Sequence, residues 1–249
     1  MTSVEAFELC TVAHLVRPTG RAAHDLETLL GMVAELSPAA LFHHTIQHRL
    51  REPLGDEVAR DDLSFWVGGV AQDPETAERL AFAIGEHSTS ADDVRSAIRT
   101  VLEAVPERTR QARSVPEGGE FVFLEGESVV LPTGRTVVDV HDLHAALTEA
   151  DNGVWFYHLI EEPWFQGRDA GLLGWLRALD RPLADTLATE GANGQPLESV
   201  RKKVLGRWRR RALSRRLVEA TGRPDDVRRA EAREVMGRLA RRVKSEGTT

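Results

Sequence analysis

A chain of 249 residues, 41% hydrophobic and 29% charged, has the balance of a globular protein with room for one large core or two smaller ones. Its single cysteine, Cys10, excludes an internal disulfide and any cysteine-built zinc site. No apolar run approaches the roughly 18 residues of a membrane span, and no basic stretch leads into an apolar segment at the N-terminus, so a cytoplasmic protein is expected.

The net charge of -7 is unevenly spread. From Leu197 onward there are 17 Lys+Arg against 7 Asp+Glu, whereas the preceding 196 residues hold 15 against 32. An acidic body therefore carries a basic tail, a pattern that suits a nucleic-acid or anionic contact and equally suits a tail folded onto its own body.

In chain order, the first element predicted is a short extended segment in "FELCTVAHLVRPTGR", closed by a Pro-Thr-Gly turn in which proline sets φ and glycine supplies φ > 0. Asp25 is placed to cap a helix whose apolar face is Leu26, Leu29, Leu30 and Val33. Ser37 and Pro38 open the next helix as N-cap and first helical residue. That helix carries "LFHHTIQHRL", with three of the nine histidines in the chain. Asp61 or Asp62 caps a helix containing Trp66, and "DP" at 73–74 and "TSADD" at 89–93 start two more.

After "PERTRQARSVPEGG" the plan starts again. "FVFLEGESVVLPTGR" aligns without a gap on the opening segment at an offset of 114, sharing Phe7/Phe121, Val16/Val130 and the whole Pro-Thr-Gly-Arg sequence. "HDL" recurs at 24–26 and 141–143, which makes Asp142 the expected cap of the second copy. "LFHHTIQHRLREP" faces "WFYHLIEEPWFQG" at the same offset, pairing Phe42 with Phe156 and His44 with His158. Trp66 then matches Trp175, and Arg95 matches Arg201. Such ordered self-similarity points to two tandem copies. The expected fold is mainly α with minor β: two pseudo-symmetric helical repeats, each headed by a short extended segment, followed by C-terminal helices. The boundaries drawn are 1–106 and 119–208 for the repeats, 107–118 for a linker and 209–249 for a basic helical extension. Gly222 and Pro224 should divide residues 197–245 into two long helices.

The elements Leu41-Phe42-His43-His44 and Asp62-Leu63-Ser64-Phe65-Trp66 resemble an uncharacterised bacterial and archaeal domain family, with an aromatic-aromatic-His element followed by Asp-Phe-x-x-Trp. His43 stands in place of the second aromatic residue and Leu63 in place of the phenylalanine. The second copy keeps Phe156-Tyr157-His158 and Trp175. The resemblance implies no activity. It associates the chain with glycosyltransferase genes, and so with an accessory role beside a protein partner in saccharide metabolism.

Two chemistries compete for the histidines. His44 and His48 are four apart, one turn on a helix, and the second copy has His158 and Glu162 at the same spacing. If the copies face each other, these four side chains form a ligand set for zinc or iron, and the chain is a metal-dependent enzyme. Alternatively, His44 and His158 are framework residues that fix helix docking, as Phe42, Trp66, Phe156 and Trp175 are read to be. No G-x-S-x-G, P-loop or G-x-G-x-x-G is present, so no cofactor other than that metal is indicated. The third candidate is the basic helix. Arg201, Lys202, Lys203, Arg207, Arg209, Arg210 and Arg211 surround the apolar Val204, Leu205 and Trp208, a pattern for phosphate contacts or for neutralising the acidic body.

Overall fold

The computed structural model describes residues 5–50, 61–86, 89–221 and 233, with side chains omitted from 211 to 221. It divides into two compact units, Met1–Val204 and Leu205–Thr249. Within the first, two strands of equal length, β1 (Phe7–Ala23) and β2 (Phe121–Val137), form one antiparallel ribbon. Between them lie α1 (Leu26–Glu35), α2 (Pro38–Thr45), a 3-10 turn (Gln47–Leu50), α3 (Asp62–Gly69), α4 (Pro74–Glu86), α5 (Ala91–Glu103) and α6 (Glu107–Ala112). After β2 come α7 (Val140–Glu149), α8 (Asn152–Phe156), a π-helical turn (Tyr157–Glu161), α9 (Glu162–Gln166), α10 (Gly171–Leu179), α11 (Arg181–Ala192) and α12 (Leu197–Thr221). The chain is thus mainly helical around a minor β element.

The ribbon joins residues 98 to 130 apart in sequence, from Ala23 with Phe121 to Phe7 with Val137. His14 pairs with Ser128 across it, and these two positions are themselves 114 apart, so a local two-fold axis passes between them. The helices exchange strands about that axis: α2 packs on β2 and α8 on β1. Phe42 and Phe156 meet near the axis with ring centroids 5.8 Å apart. The two tryptophans are anchored alike, Trp66 Nε1 donating to Gly119 O and Trp175 Nε1 to Glu5 O, each at 2.7 Å.

The extended segments are longer than the sequence pattern indicates, and Pro-Thr-Gly makes a bulge inside each strand rather than a turn after it. The register shifts between Pro18 and Ala22, opposite Leu124 and Val122, and again between Glu8 and Cys10, opposite Thr136 and Pro132. Proline has no N–H for the ladder, and Gly20 and Gly134 take φ of 75° and 72°, which relaxes the extra residues into the bulge. Thr19 Oγ1 then donates to Phe123 O at 2.8 Å, and Thr133 Oγ1 to Leu9 O at 2.7 Å.

Asp25, Ser37 and Asp61 cap α1, α2 and α3 through their side chains. In the second half the cap of α7 is Asp139, not Asp142. Asp139 stands 114 after Asp25, has extended φ and ψ, and accepts from the His141 and Asp142 amides; Asp142 lies in the first helical turn. The linker contains α6, whose Arg110 pairs with Glu27 and binds Val105 O, each at 2.5 Å. The expected helix beyond Pro224 lies outside the described residues. No helix among them is long and apolar enough to cross a membrane.

Candidate functional site

His44 and His158 occupy equivalent places, each on the strand of the other half. The Leu124 amide donates to His44 Nε2 at 2.8 Å, and the Cys10 amide donates to His158 Nε2 at 2.9 Å. Cys10 and Leu124 are also 114 apart. A backbone N–H can only donate, so both Nε2 atoms carry a lone pair and the ring proton sits on Nδ1. Each Nδ1 faces a carboxylate oxygen at 3.0 Å: Asp62 for His44 and Glu162 for His158. Both ring nitrogens are therefore engaged in a carboxylate–imidazole–amide chain.

The structure does not bring His44, His48, His158 and Glu162 to one point. α2 ends at Thr45, and His48 falls on the 3-10 turn, so His44 and His48 do not share a continuous helix face. His158 and Glu162 do meet, through the π-helical turn. Among the described residues, the group of three side chains close enough to hold a metal is His43, His44 and Asp62, whose ligand atoms lie within 4.8 Å of one another. His44 is unsuited to it. A metal on its Nδ1 would move the ring proton to Nε2, against the Leu124 N–H.

Glu162 is the more buried of the two carboxylates, and it also accepts from the Leu172 amide at 3.2 Å at the start of α10. Gly171 permits this: its φ is +53°, and a Cβ there would overlap the Glu162 carboxylate. Next to Glu162, the Glu161 side chain is 2% exposed. Its Oε2 lies 2.8 Å from His14 Nε2, while its Oε1 has no hydrogen-bond partner among the described residues. Burial, followed by the negative charge of Glu162, pushes the Tyr157 hydroxyl up to about 12. Burial and then the charges of Glu8 and Glu162 likewise raise Cys10, so its thiol is not activated.

Tyr157, Glu161 and Glu162 border a cleft of about 320 Å³ between β2 and the π-helical turn, which Glu127, Val130 and Phe165 also line. Sequence reasoning missed Glu161 and His14. The signal for Glu161 was its equivalence to Gln47, which meets His43 Nδ1 at 2.5 Å: both positions carry a polar side chain on a buried helix face.

Buried charged groups also lie elsewhere, among them Arg49 and Asp61. Arg49, 3% exposed, donates to Gln195 O at 3.1 Å and Gly191 O at 3.0 Å, and burial lowers it to about 10. Burial raises Asp61 to about 6, against the opposing hydrogen bonds from Ser64. Of the basic residues on α12, Arg201 is half-buried and donates to Thr148 O at 3.1 Å. Lys202, Lys203, Arg207, Arg209 and Arg210 are exposed, and the Arg211 side chain lies outside the described residues.

The model of a family of unknown function, DUF5752, matches residues 4–209. No curated protein matches the chain. Among solved structures, OrfY from Thermoproteus tenax is similar in fold, with 22% identity and a TM-score of 0.71 over 82% of this chain and 96% of that one.

Proposed function

We propose that this chain, which belongs to the family of unknown function DUF5752, is a duplicated accessory or regulatory protein of the cytoplasm that acts by binding another protein. The observation that carries this reading is the open face of the ribbon. Antiparallel pairing sets Thr11 against Leu131, Ala13 against Val129 and Leu15 against Glu127, so Leu15, Ala13, Val129 and Leu131 share one face. Leu15 is 63% exposed, Leu131 46% and Val129 36%. Adjacent exposed aliphatic residues on a sheet held rigid by bulges and histidine braces suit a protein surface that completes the sandwich. The histidine chemistry supports the same reading, since its nitrogens are used in holding strand to helix. An enzyme of saccharide metabolism is the partner class suggested by the resemblance to domains associated with glycosyltransferase genes.

Affinity capture from the source cell at physiological ionic strength tests this. Wild type should recover a stoichiometric partner, and the double variant Leu15→Glu/Val129→Glu should lose it while keeping its helical circular dichroism. Equal recovery by both would overturn the reading. The exposed cations of α12 support a second reading, nucleic-acid contact. Titration with duplex and single-stranded DNA or RNA at two salt concentrations tests it: binding that weakens steeply with salt is expected, and negligible binding at low salt would exclude it.

A further inference from the structure

Among the described residues, the cleft between β2 and the π-helical turn contains more negative charge than its surroundings neutralise. Glu161 and Glu162 are both buried there, and Glu127 stands at the rim. Among the described residues, their ion pairs are with histidines alone: Glu161 with His14 and Glu162 with His158. His158 is neutral in its present bonding, because Nε2 accepts the Cys10 amide. His14 can therefore offset at most one of two buried carboxylates. Burying an uncompensated charge is costly, and a ligand cation would relieve that cost.

The form of the cleft narrows the cation. Among the described residues, no three His, Cys, Asp or Glu side chains at the cleft lie close enough to share an ion; the group that does is His43, His44 and Asp62. A volume of about 320 Å³ is at the lower end of small-ligand sites. Its walls include the aromatic Tyr157 and Phe165 and the aliphatic Val130, so an apolar stem is accommodated as well as a charge. Glu161 lines this space, and its Oε1 is a buried acceptor with no donor among the described residues.

We propose that the cleft binds an alkylammonium group, its ammonium on Glu161 Oε1 and its carbon chain along Phe165 and Val130. The group is carried either by a free aliphatic amine or by a lysine side chain of another polypeptide. This site stands independently of the open ribbon face.

Calorimetric titration of the full chain with 1,5-diaminopentane, with a lysine-containing peptide and with 1-pentanol separates the cases. Saturable binding of either amine, on the order of 1 mM or tighter, with none for the alcohol, is expected. Saturation by the peptide alone assigns the source to a polypeptide, and saturation by the diamine assigns it to a free amine. Glu161→Gln should weaken binding about tenfold or more, as loss of a charge-assisted bond requires. Phe165→Ala, at an exposed position, should weaken it about threefold with the fold intact. The proposal is overturned if neither amine saturates, if folded Glu161→Gln binds like wild type, or, should that variant not fold, if Phe165→Ala binds like wild type.

Discussion

Replacing His44 and His158 by phenylalanine in separate variants measures what the two imidazoles do. Phenylalanine keeps a ring of similar size and removes both nitrogens, so packing around Phe121 and Phe7 is largely retained. In each variant one strand amide, Leu124 or Cys10, loses its acceptor. An unsatisfied buried N–H costs about 1–3 kcal/mol. The carboxylates make the two variants unequal. The Asp62 side chain is 29% exposed, and water replaces the bond it loses. The Glu162 side chain is 8% exposed, and removing the partner of a buried charge costs about 3–5 kcal/mol. His44→Phe should therefore destabilise by about 2 kcal/mol and His158→Phe by about 4 kcal/mol. In a chain of this length those losses lower Tm by about 4–8 °C and about 8–16 °C. Urea titration monitored by helical circular dichroism, extrapolated to water, gives both free energies. Chelator treatment of wild type should leave its stability unchanged. Losses below about 0.5 kcal/mol in both variants, a larger loss for His44→Phe than for His158→Phe, or marked destabilisation by the chelator would refute the bracing role.

Asp61 predicts a pH dependence with a definite sign. Its folded value of about 6 lies above the usual 3.8, so the native state holds this proton more tightly than the unfolded state. The resulting penalty is full above pH 6 and disappears as pH falls toward 3.8. At pH 8, Asp61→Asn should stabilise by up to about 3 kcal/mol and lose this part of the pH dependence; equal stability of the two proteins from pH 5 to 8 would count against it. Gly171→Ala meets two obstacles, φ of +53° and the Glu162 carboxylate, so a loss of more than about 2 kcal/mol in urea titration is expected. Thr19→Val and Thr133→Val remove matching bulge bonds, and each should cost about 1 kcal/mol, with similar values for the two sites.

The part of this fold legible in the sequence is the part written in local or repeated signals. Ser37-Pro38 and Asp61 stand where short-range capping rules place them, and the gapless offset links His44 to His158. Pairing between β1 and β2 is not written locally. It joins residues about 100 or more apart, and period-two patterning is weak in strands exposed at their centres. For the same reason Pro-Thr-Gly reads as a turn; only the partner strand shows it to be a bulge. The His-Asp-Leu tripeptide shared with residues 24–26 singles out Asp142, whereas the offset that aligns the strands points to Asp139. The break after Thr45 moves His48 off the helix, an effect that apolar spacing does not register. Glu161 was hidden because its role depends on His14, 147 positions away.

Hydrogen–deuterium exchange of the chain alone and with its captured partner tests the proposed function most directly. Added protection should concentrate in ribbon residues 11–17 and 125–131, around Leu15 and Val129. Protection confined to α12, with unchanged exchange along the ribbon, would contradict the assignment of the open face as the binding surface.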